Sequence, residues 1–157
     1  MPAEDAQVLS ASSDERQWRT IAALHTRLES ELAGALRRSG LSSREYTLLL
    51  TLEHRHGESV PDMQHLAAAV GLGPSAVTRL VSRLEGRNLV MRTLGSTDRR
   101  RICPVLTPTG RVLMEWLRPL ASAALEAGLD GAGRRPALAR LVLAVRHAGA
   151  PPGAAAG

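Results

Sequence analysis

The sequence predicts a mainly α-helical fold that contains one small β-hairpin. Apolar residues recur at steps of three and four along most of residues 14–148, which is the spacing of amphipathic helices. The region 89–106 differs, because two short apolar runs there flank a turn rich in polar residues. Hydrophobic residues make up 44% and charged residues 22% of the 157 residues, so we expect a packed globular core.

The charge balance and the chain ends indicate the class of partner and the compartment. A formal net charge of +5 favours an anionic partner, such as nucleic acid or a membrane surface. We find no signal peptide and no apolar run of about 18 residues that could cross a membrane. The single cysteine excludes an internal disulfide. We therefore expect a cytoplasmic protein without a membrane contact, with disordered ends at 1–13 and 149–157.

Two helices are expected in the first third of the chain. The first covers 14–38 and has one apolar stripe. The members of this stripe are Trp18, Ile21, Leu24, Leu28, Leu32 and Leu36. Gly40 ends the helix, since glycine is favoured just after a helix. Ser42 and Glu45 have the spacing of a capping box, so a second helix begins there and runs to about His54.

Two shorter helices follow, separated by a tight turn. Ser59, Pro61 and Asp62 are typical of a helix start, and Gly71 ends that helix. Pro74 opens the next helix, because proline is favoured in the first turn. A helix-turn-helix follows from this spacing.

A hairpin and two further helices complete the predicted fold. Residues 89–93 and 102–106 are expected to be its strands, with Pro104 at an edge or at a position that makes no ladder hydrogen bond. Thr107 and Pro108 begin a long helix that Pro119 is expected to kink, and a last helix covers about 135–147. The hairpin makes the motif a winged helix-turn-helix over roughly 59–107.

The helix that Pro74 opens has two faces of different chemistry. One face is apolar, and the opposite face is polar with hydroxyl and guanidinium groups. The polar residues are Ser75, Thr78, Arg79, Ser82 and Arg83. A major groove of about 12 Å width admits such a helix, and arginine matches guanine with two hydrogen bonds. The other interpretation is the solvated face of an ordinary amphipathic helix.

The predicted hairpin turn favours the DNA-binding interpretation. Arg99, Arg100 and Arg101 lie on this turn, where no core packing explains them. An arginine on such a wing can enter a minor groove, where a narrow groove has enhanced negative potential. Asp98 would orient a neighbouring arginine through a charge-assisted hydrogen bond. A solvated run of charges is the alternative.

Two segments resemble the multiple antibiotic resistance regulator (MarR) family of transcription factors. Residues 70–85 are similar to its recognition-helix motif, which adds Ala76 to the expected contacts, and residues 97–111 are similar to its wing motif. The resemblance implies a homodimer that binds a pseudo-palindromic operator in double-stranded DNA, usually as a repressor. It assigns the wing pair to Asp98 and Arg100.

The resemblance also implies that dimerisation and DNA binding use different regions of the chain. Dimerisation helices would occupy 14–40 and 108–148, and the winged helix-turn-helix DNA-binding domain would occupy 41–107. The short wing loop and Pro104 depart from the family pattern. The last helix is also short and is followed by a tail of Pro, Gly and Ala, which favours a smaller dimer interface than is typical of the family.

Three kinds of sensor are possible from the family resemblance and the residue types: a small-molecule pocket, a thiol and a metal site. The family often releases DNA when a small phenolic or other anion binds, and Trp18, His25 and Tyr46 are candidates for lining such a pocket. A thiol switch at Cys103 is the second kind, although a structural strand residue is the favoured interpretation. A metal sensor is not expected, because no cysteine or acid cluster joins the histidines His25, His54, His56, His65 and His147.

Two other classes of protein fit the sequence less well. An enzyme is not expected, because phosphate-loop, nucleophile-elbow and zinc-hydrolase motifs are absent, and no cofactor is expected either. A winged-helix module that binds protein instead of an operator is the remaining alternative. DNA binding would weaken steeply with salt, whereas protein binding need not.

Overall fold

The computed structural model describes residues 12–53, 61–95 and 100–149. Its elements are α1 (Ser13–Leu36), α2 (Ser43–Glu53), α3 (Met63–Val70), α4 (Pro74–Gly86), β1 (Val90–Leu94), β2 (Ile102–Leu106), α5 (Pro108–Gly133) and α6 (Pro136–Gly149). A short 3-10 turn, Arg37–Ser39, follows α1. The predicted fold class, mainly helical with one antiparallel hairpin, is confirmed. Within the described ranges, no helix has both the length and the apolar character needed to cross a membrane.

The helix ends lie where the local sequence predicts them. Gly40 and Gly71 adopt φ values of 65° and 64°, the left-handed conformation that glycine accepts without a steric cost. The Ser42 amide donates to Glu45 Oε2 at 2.8 Å, and the Glu45 amide donates to Ser42 Oγ at 3.2 Å. This reciprocal pair is the predicted capping box. At α3 the N-cap is Asp62, whose Oδ1 accepts from the His65 amide at 2.9 Å.

The strands β1 and β2 pair antiparallel with Arg92 opposite Pro104. The Gly95 amide donates to the Arg101 carbonyl, and the Thr107 amide donates to the Leu89 carbonyl. Because hydrogen-bonded and non-bonded pairs alternate along an antiparallel ladder, this register places Pro104 at a non-bonded position. The hairpin therefore loses no bond between its strands from the missing proline N–H, as expected.

The start of α5 is fixed against the entry to β1. Thr107 Oγ1 donates to the Asn88 carbonyl at 2.6 Å and accepts from the Gly110 amide at 3.0 Å. A Cβ atom added to Gly110 would lie 2.1 Å from the Leu89 carbonyl oxygen. Only glycine allows this close approach of the two backbone segments. From this start α5 continues without interruption through Pro119.

The chain divides into two compact units, and the boundaries fall within α1 and α5. One unit is Leu32–Ala124, and its core consists of apolar residues from α1, α2, α3, α4, β1, β2 and α5. The most deeply buried members are Leu36, Leu48, Leu49, Leu66, Val77, Val81, Leu84, Val90, Met114 and Leu117. The burial of one side of α4 in this core leaves its opposite side at the surface.

The other unit comprises the described parts of Met1–Glu31 and Leu125–Gly157. Its core is small: Leu24, Ala132, Leu138 and Val142 are buried, with Leu28, Leu129 and Leu141 packed against them. The predicted stripe of α1 is only partly covered, because Trp18 is 70% exposed and Ile21 is 53% exposed. These two side chains offer an apolar surface at the N-terminal half of α1.

Candidate nucleic-acid interface

Helix α4 has the two faces that the sequence predicts. Its buried residues are Val77, Leu80, Val81 and Leu84. The predicted contact residues Ser75, Thr78, Arg79, Ser82 and Arg83 are all exposed, and Ala76 is half-buried. One side of the helix is therefore anchored in the core while the other presents a continuous polar surface.

Arg79 lies in the middle of this polar surface. Its guanidinium has no hydrogen-bond or ion-pair partner among residues 12–53, 61–95 and 100–149. Thr78 lies beside it, and its hydroxyl donates to the Pro74 carbonyl at 2.9 Å. Arg79 can therefore approach an anion or a base edge without breaking an ion pair in the described part of the chain.

Arg83 links α4 to α2. Its Nη1 lies 3.4 Å from Glu45 Oε1, and Glu45 is the same residue whose other carboxylate oxygen closes the capping box. The Glu45 side chain is 3% exposed, whereas that of Arg83 is 64% exposed. The buried Glu45 carboxylate thus orients Arg83, while most of the Arg83 side chain stays at the surface.

Arg92 on β1 contacts α4 and was missed by sequence reasoning. Its Nη1 donates to Glu85 Oε2 at 2.7 Å, and its Nη2 donates to Ser82 Oγ at 2.8 Å. Both acceptors lie on α4, so one guanidinium joins the hairpin to the last turns of the helix. No motif signals this contact, because it depends on how the hairpin folds back on α4.

The wing is described in part. Arg100 and Arg101 are exposed immediately before β2, while Asp98 and Arg99 lie outside the described residues. The predicted pairing of Asp98 with Arg100 therefore stays a prediction. Arg101 forms an ion pair with Asp62, the residue that caps α3. The base of the wing is thereby joined to the start of the helix-turn-helix.

A second unpredicted arginine acts at the end of α4. Arg87 Nη2 donates to the Ser39 carbonyl at 2.7 Å, and Arg87 Nη1 donates to the Gly40 carbonyl at 3.2 Å. These carbonyls end the 3-10 turn that follows α1, where helix geometry leaves acceptors without partners. The contact fixes the C-terminal end of α4 to the segment that precedes α2.

A cleft of about 310 Å³ lies within the unit Leu32–Ala124. Its lining residues are Leu52, Glu53, Leu106, Arg111, Glu115 and Arg118. Glu53 and Arg118 form an ion pair, yet Glu53 Oε2 is buried without a hydrogen-bond partner among the described residues. Burial raises the pKa of the nearby Tyr46 phenol, the Glu53 carboxylate raises it further, and Arg118 lowers it.

The three candidates for effector contact belong to two different units of the chain. Tyr46 is buried in the same unit as the cleft, next to Glu53 and Arg118. Trp18 and His25 belong to the other unit, where both are exposed on α1. Glu53 and Arg118, which line the cleft, are close enough to Tyr46 to shift its pKa, and sequence reasoning singled out neither of them.

The remaining sensor candidates have weak structural support. Cys103 is 5% exposed on β2, and the Thr93 hydroxyl donates to its backbone carbonyl at 2.9 Å. A thiol with so little exposure has poor access to an oxidant. The described residues contain no group of three metal-ligating side chains, while His54 and His56 lie outside them.

Comparison with known proteins identifies the relatives of this arrangement. A model of the MarR family matches residues 41–102, which hold α2, α3, α4, β1 and the beginning of β2. Over this segment the chain is similar to the MarR family. The resemblance seen in the recognition-helix and wing motifs is thereby confirmed.

A transcriptional repressor matches a longer stretch of the chain. The HTH-type transcriptional repressor MdtR of Bacillus subtilis (strain 168) is 30% identical over 96 residues, which cover 61% of this chain and 60% of MdtR. The match thus spans less than two thirds of MdtR.

Solved structures of the MarR type share the fold over most of the chain. AbsC, a MarR family transcriptional regulator from Streptomyces coelicolor, has a TM-score of 0.70 at 26% identity over 88% of this chain and 94% of AbsC. CouR from Rhodococcus jostii RHA1, solved with p-coumaroyl-CoA bound, has a TM-score of 0.68 at 25% identity over 88% of this chain and 92% of CouR.

Proposed function

We propose that this chain is a transcriptional regulator that binds specific sites in double-stranded DNA. The observation that carries the proposal is the exposed polar face of α4, with the Arg79 guanidinium at its centre. A basic face of this kind on the second helix of a helix-turn-helix fits the major groove. Arg100 on the adjacent wing adds a cation that fits a minor groove or a phosphate. The match of residues 41–102 to the MarR family model and the similarity to the repressor MdtR support the same function.

The active form is a homodimer on a pseudo-palindromic operator. Exposed apolar residues on α1, α5 and α6 support self-association, because burying them against a second copy lowers the free energy and leaving them in water does not. They are Trp18, Ile21, Val112, Trp116, Leu120, Leu143 and Val145. Residues 14–40 and 108–148 supply the dimerisation helices, 41–107 forms the DNA-binding domain, and the protein works in the cytoplasm.

The regulator acts as a repressor that a small effector releases from DNA. The cleft beside Tyr46 supports this part of the proposal, because it combines two arginines with a buried carboxylate oxygen that lacks a partner. The ligand that fits is an anion that pairs with Arg111 or Arg118 and also donates a hydrogen bond to Glu53. Titration of phenolic carboxylates into the protein–operator complex tests it, and Arg118→Ala should abolish release.

Selection from random duplex DNA, repeated at two salt concentrations, tests the function itself. An enriched palindrome with half-sites about one helical turn apart would support a dimeric operator-binding regulator. Background binding without enrichment would favour a winged-helix module for a protein partner instead. An activity that responds to oxidants and is lost in Cys103→Ser would favour the thiol switch over the small effector.

A further inference from the structure

We propose that Arg92 is a positioning residue that turns the Ser82 hydroxyl into a hydrogen-bond donor toward DNA. The inference rests on the proposed function. Its starting point is geometric: Arg92 Nη2 donates to Ser82 Oγ at 2.8 Å while Arg92 Nη1 is held by Glu85 Oε2 at 2.7 Å. The Arg92 side chain is 31% exposed, so its fork is packed between β1 and α4 and does not point freely into solvent.

The chemistry of the two groups determines whether the Ser82 hydroxyl donates or accepts a hydrogen bond. A guanidinium only donates hydrogen bonds, so the Ser82 oxygen is the acceptor in this contact. The single hydroxyl proton is left for another partner. Because Ser82 is exposed on the polar face of α4, that proton can point away from the helix toward bound DNA. The adjacent positive charge also polarises the O–H bond and disfavours the approach of a second donor.

Thr78, one turn earlier on the same face, has the opposite polarity. Its hydroxyl donates to the Pro74 carbonyl at 2.9 Å, which uses the proton and leaves the oxygen as an acceptor. Ser82 makes no equivalent bond to a described residue. The two hydroxyls therefore differ in the DNA groups that they suit, although both residue types are chemically able to donate and to accept.

The partner of Ser82 is an acceptor on DNA. Phosphate oxygens accept hydrogen bonds only, and in the major groove N7 and O6 of guanine and O4 of thymine also accept. The amino groups of adenine and cytosine are excluded, since they donate. Arg92 itself does not serve as a phosphate-binding cation in this arrangement, because Glu85 offsets its charge at 2.7 Å.

A double-mutant cycle on the full-length protein tests the proposal. The operator from the selection is titrated with wild type, Arg92→Met, Ser82→Ala and the double variant, with thermal unfolding as the control for folding. We expect each single change to weaken binding about tenfold, and the double variant to bind no more than about twofold weaker than Ser82→Ala. Independent losses that multiply to about a hundredfold would overturn the proposal.

Arg92→Lys is the matched control for charge. Lysine keeps the positive charge but cannot hold Glu85 and Ser82 with one planar fork, so we expect it to bind about as weakly as Arg92→Met. Wild-type affinity in Arg92→Lys would show that charge alone matters. We expect the slope of log affinity against log salt to be unchanged in both variants, whereas loss of a phosphate-binding cation lowers it by about 0.9.

The sequence preferences separate the two sources of the acceptor. If Ser82 donates to a base, Ser82→Ala and Arg92→Met relax the selected sequence at the same base pair. If it donates to a phosphate, both weaken all sequences equally. Failure of wild type to select any operator would refute the proposed function, whereas a selecting wild type with additive variants would refute only the role of Arg92.

Discussion

Helices α1 and α4 are both amphipathic, but they leave opposite chemistries at the surface. The outer face of α4 consists of hydroxyl and guanidinium groups over a buried aliphatic face. The N-terminal half of α1 instead exposes Trp18 and Ile21. Exposed apolar surface adds to stability only when another surface buries it, whereas a basic polar face is well solvated without a partner. Under the proposed function, the partner of each helix follows from its uncovered side: protein for α1 and DNA for α4.

Placing charge on the exposed half of α1 should have the largest effect. In the double variant Trp18→Asp and Ile21→Asp, repulsion and lost apolar burial should dissociate the dimer. Operator affinity should then fall by about a hundredfold or more, because two half-sites no longer bind together. Sedimentation and operator titration measure both effects. Thr26→Asp, an exposed polar position on α1, controls for added charge, and a stable dimer in the double variant would contradict the assignment.

Removing the central guanidinium of α4 comes next. Arg79→Ala should lower operator affinity about 10- to 100-fold while leaving binding to random DNA nearly unchanged, since base contacts specify and phosphate contacts position. Competition between operator and random duplex measures the ratio. Equal losses of affinity for operator and for random DNA would show that Arg79 binds phosphate and does not recognise bases.

The wing should contribute in a different way from α4. Arg100→Ala is expected to weaken operator and random DNA alike, by about tenfold, and to reduce the salt slope by about 0.9. Titrations at several salt concentrations check both numbers. A change of sequence preference without a change of slope would mean that Arg100 recognises bases.

A substitution at the joint between hairpin and α5 should affect stability more than recognition. Gly110→Ala places a Cβ atom against the Leu89 carbonyl, 2.1 Å away before any shift, so we expect a loss of about 1–3 kcal/mol or more in the free energy of unfolding. Urea denaturation measures it. Gly86→Ala, where an added Cβ has no neighbour within 4 Å, is the matched control.

The smallest effect concerns alkaline pH. The raised pKa of Tyr46 means that the unfolded chain releases this proton first, above its ordinary value of 10.0. The corresponding stability is full below that value and is lost as pH rises through the folded-state pKa. The stability of wild type relative to Tyr46→Phe should therefore stay constant up to about pH 9 and decrease as the pH rises above about 10. A constant difference in urea unfolding would contradict the buried environment of this phenol.

Local chemistry made much of the fold predictable. Glycines, a capping box and first-turn prolines act within a few residues, so the ends of α1, α2, α3 and α4 follow from short segments. The polar face of α4 was predictable for the same reason, because helical periodicity places residues on one side. Pro104 likewise limits the hairpin to pairings in which it lies at an edge or at a non-bonded position.

Contacts between distant segments were not predictable. Arg92 reaches Ser82 only because β1 folds back beside α4, and Arg87 reaches Ser39 across 48 positions of the chain. Arginine is long and common here, so its partner depends on tertiary packing that no spacing rule contains. The cleft beside Tyr46 has the same origin, since its charged lining comes from α2 and α5.

The exposure of the tryptophans makes the chain its own optical reporter. Both tryptophans lie outside α4: Trp18 is 70% exposed on α1 and Trp116 is 47% exposed on α5. Indole emission shifts to shorter wavelength when the ring leaves water. Intrinsic fluorescence should therefore follow the covering of the apolar surfaces as protein concentration rises. DNA binding at α4 would be nearly silent in the same spectrum, so assembly and operator binding can be measured separately without a label.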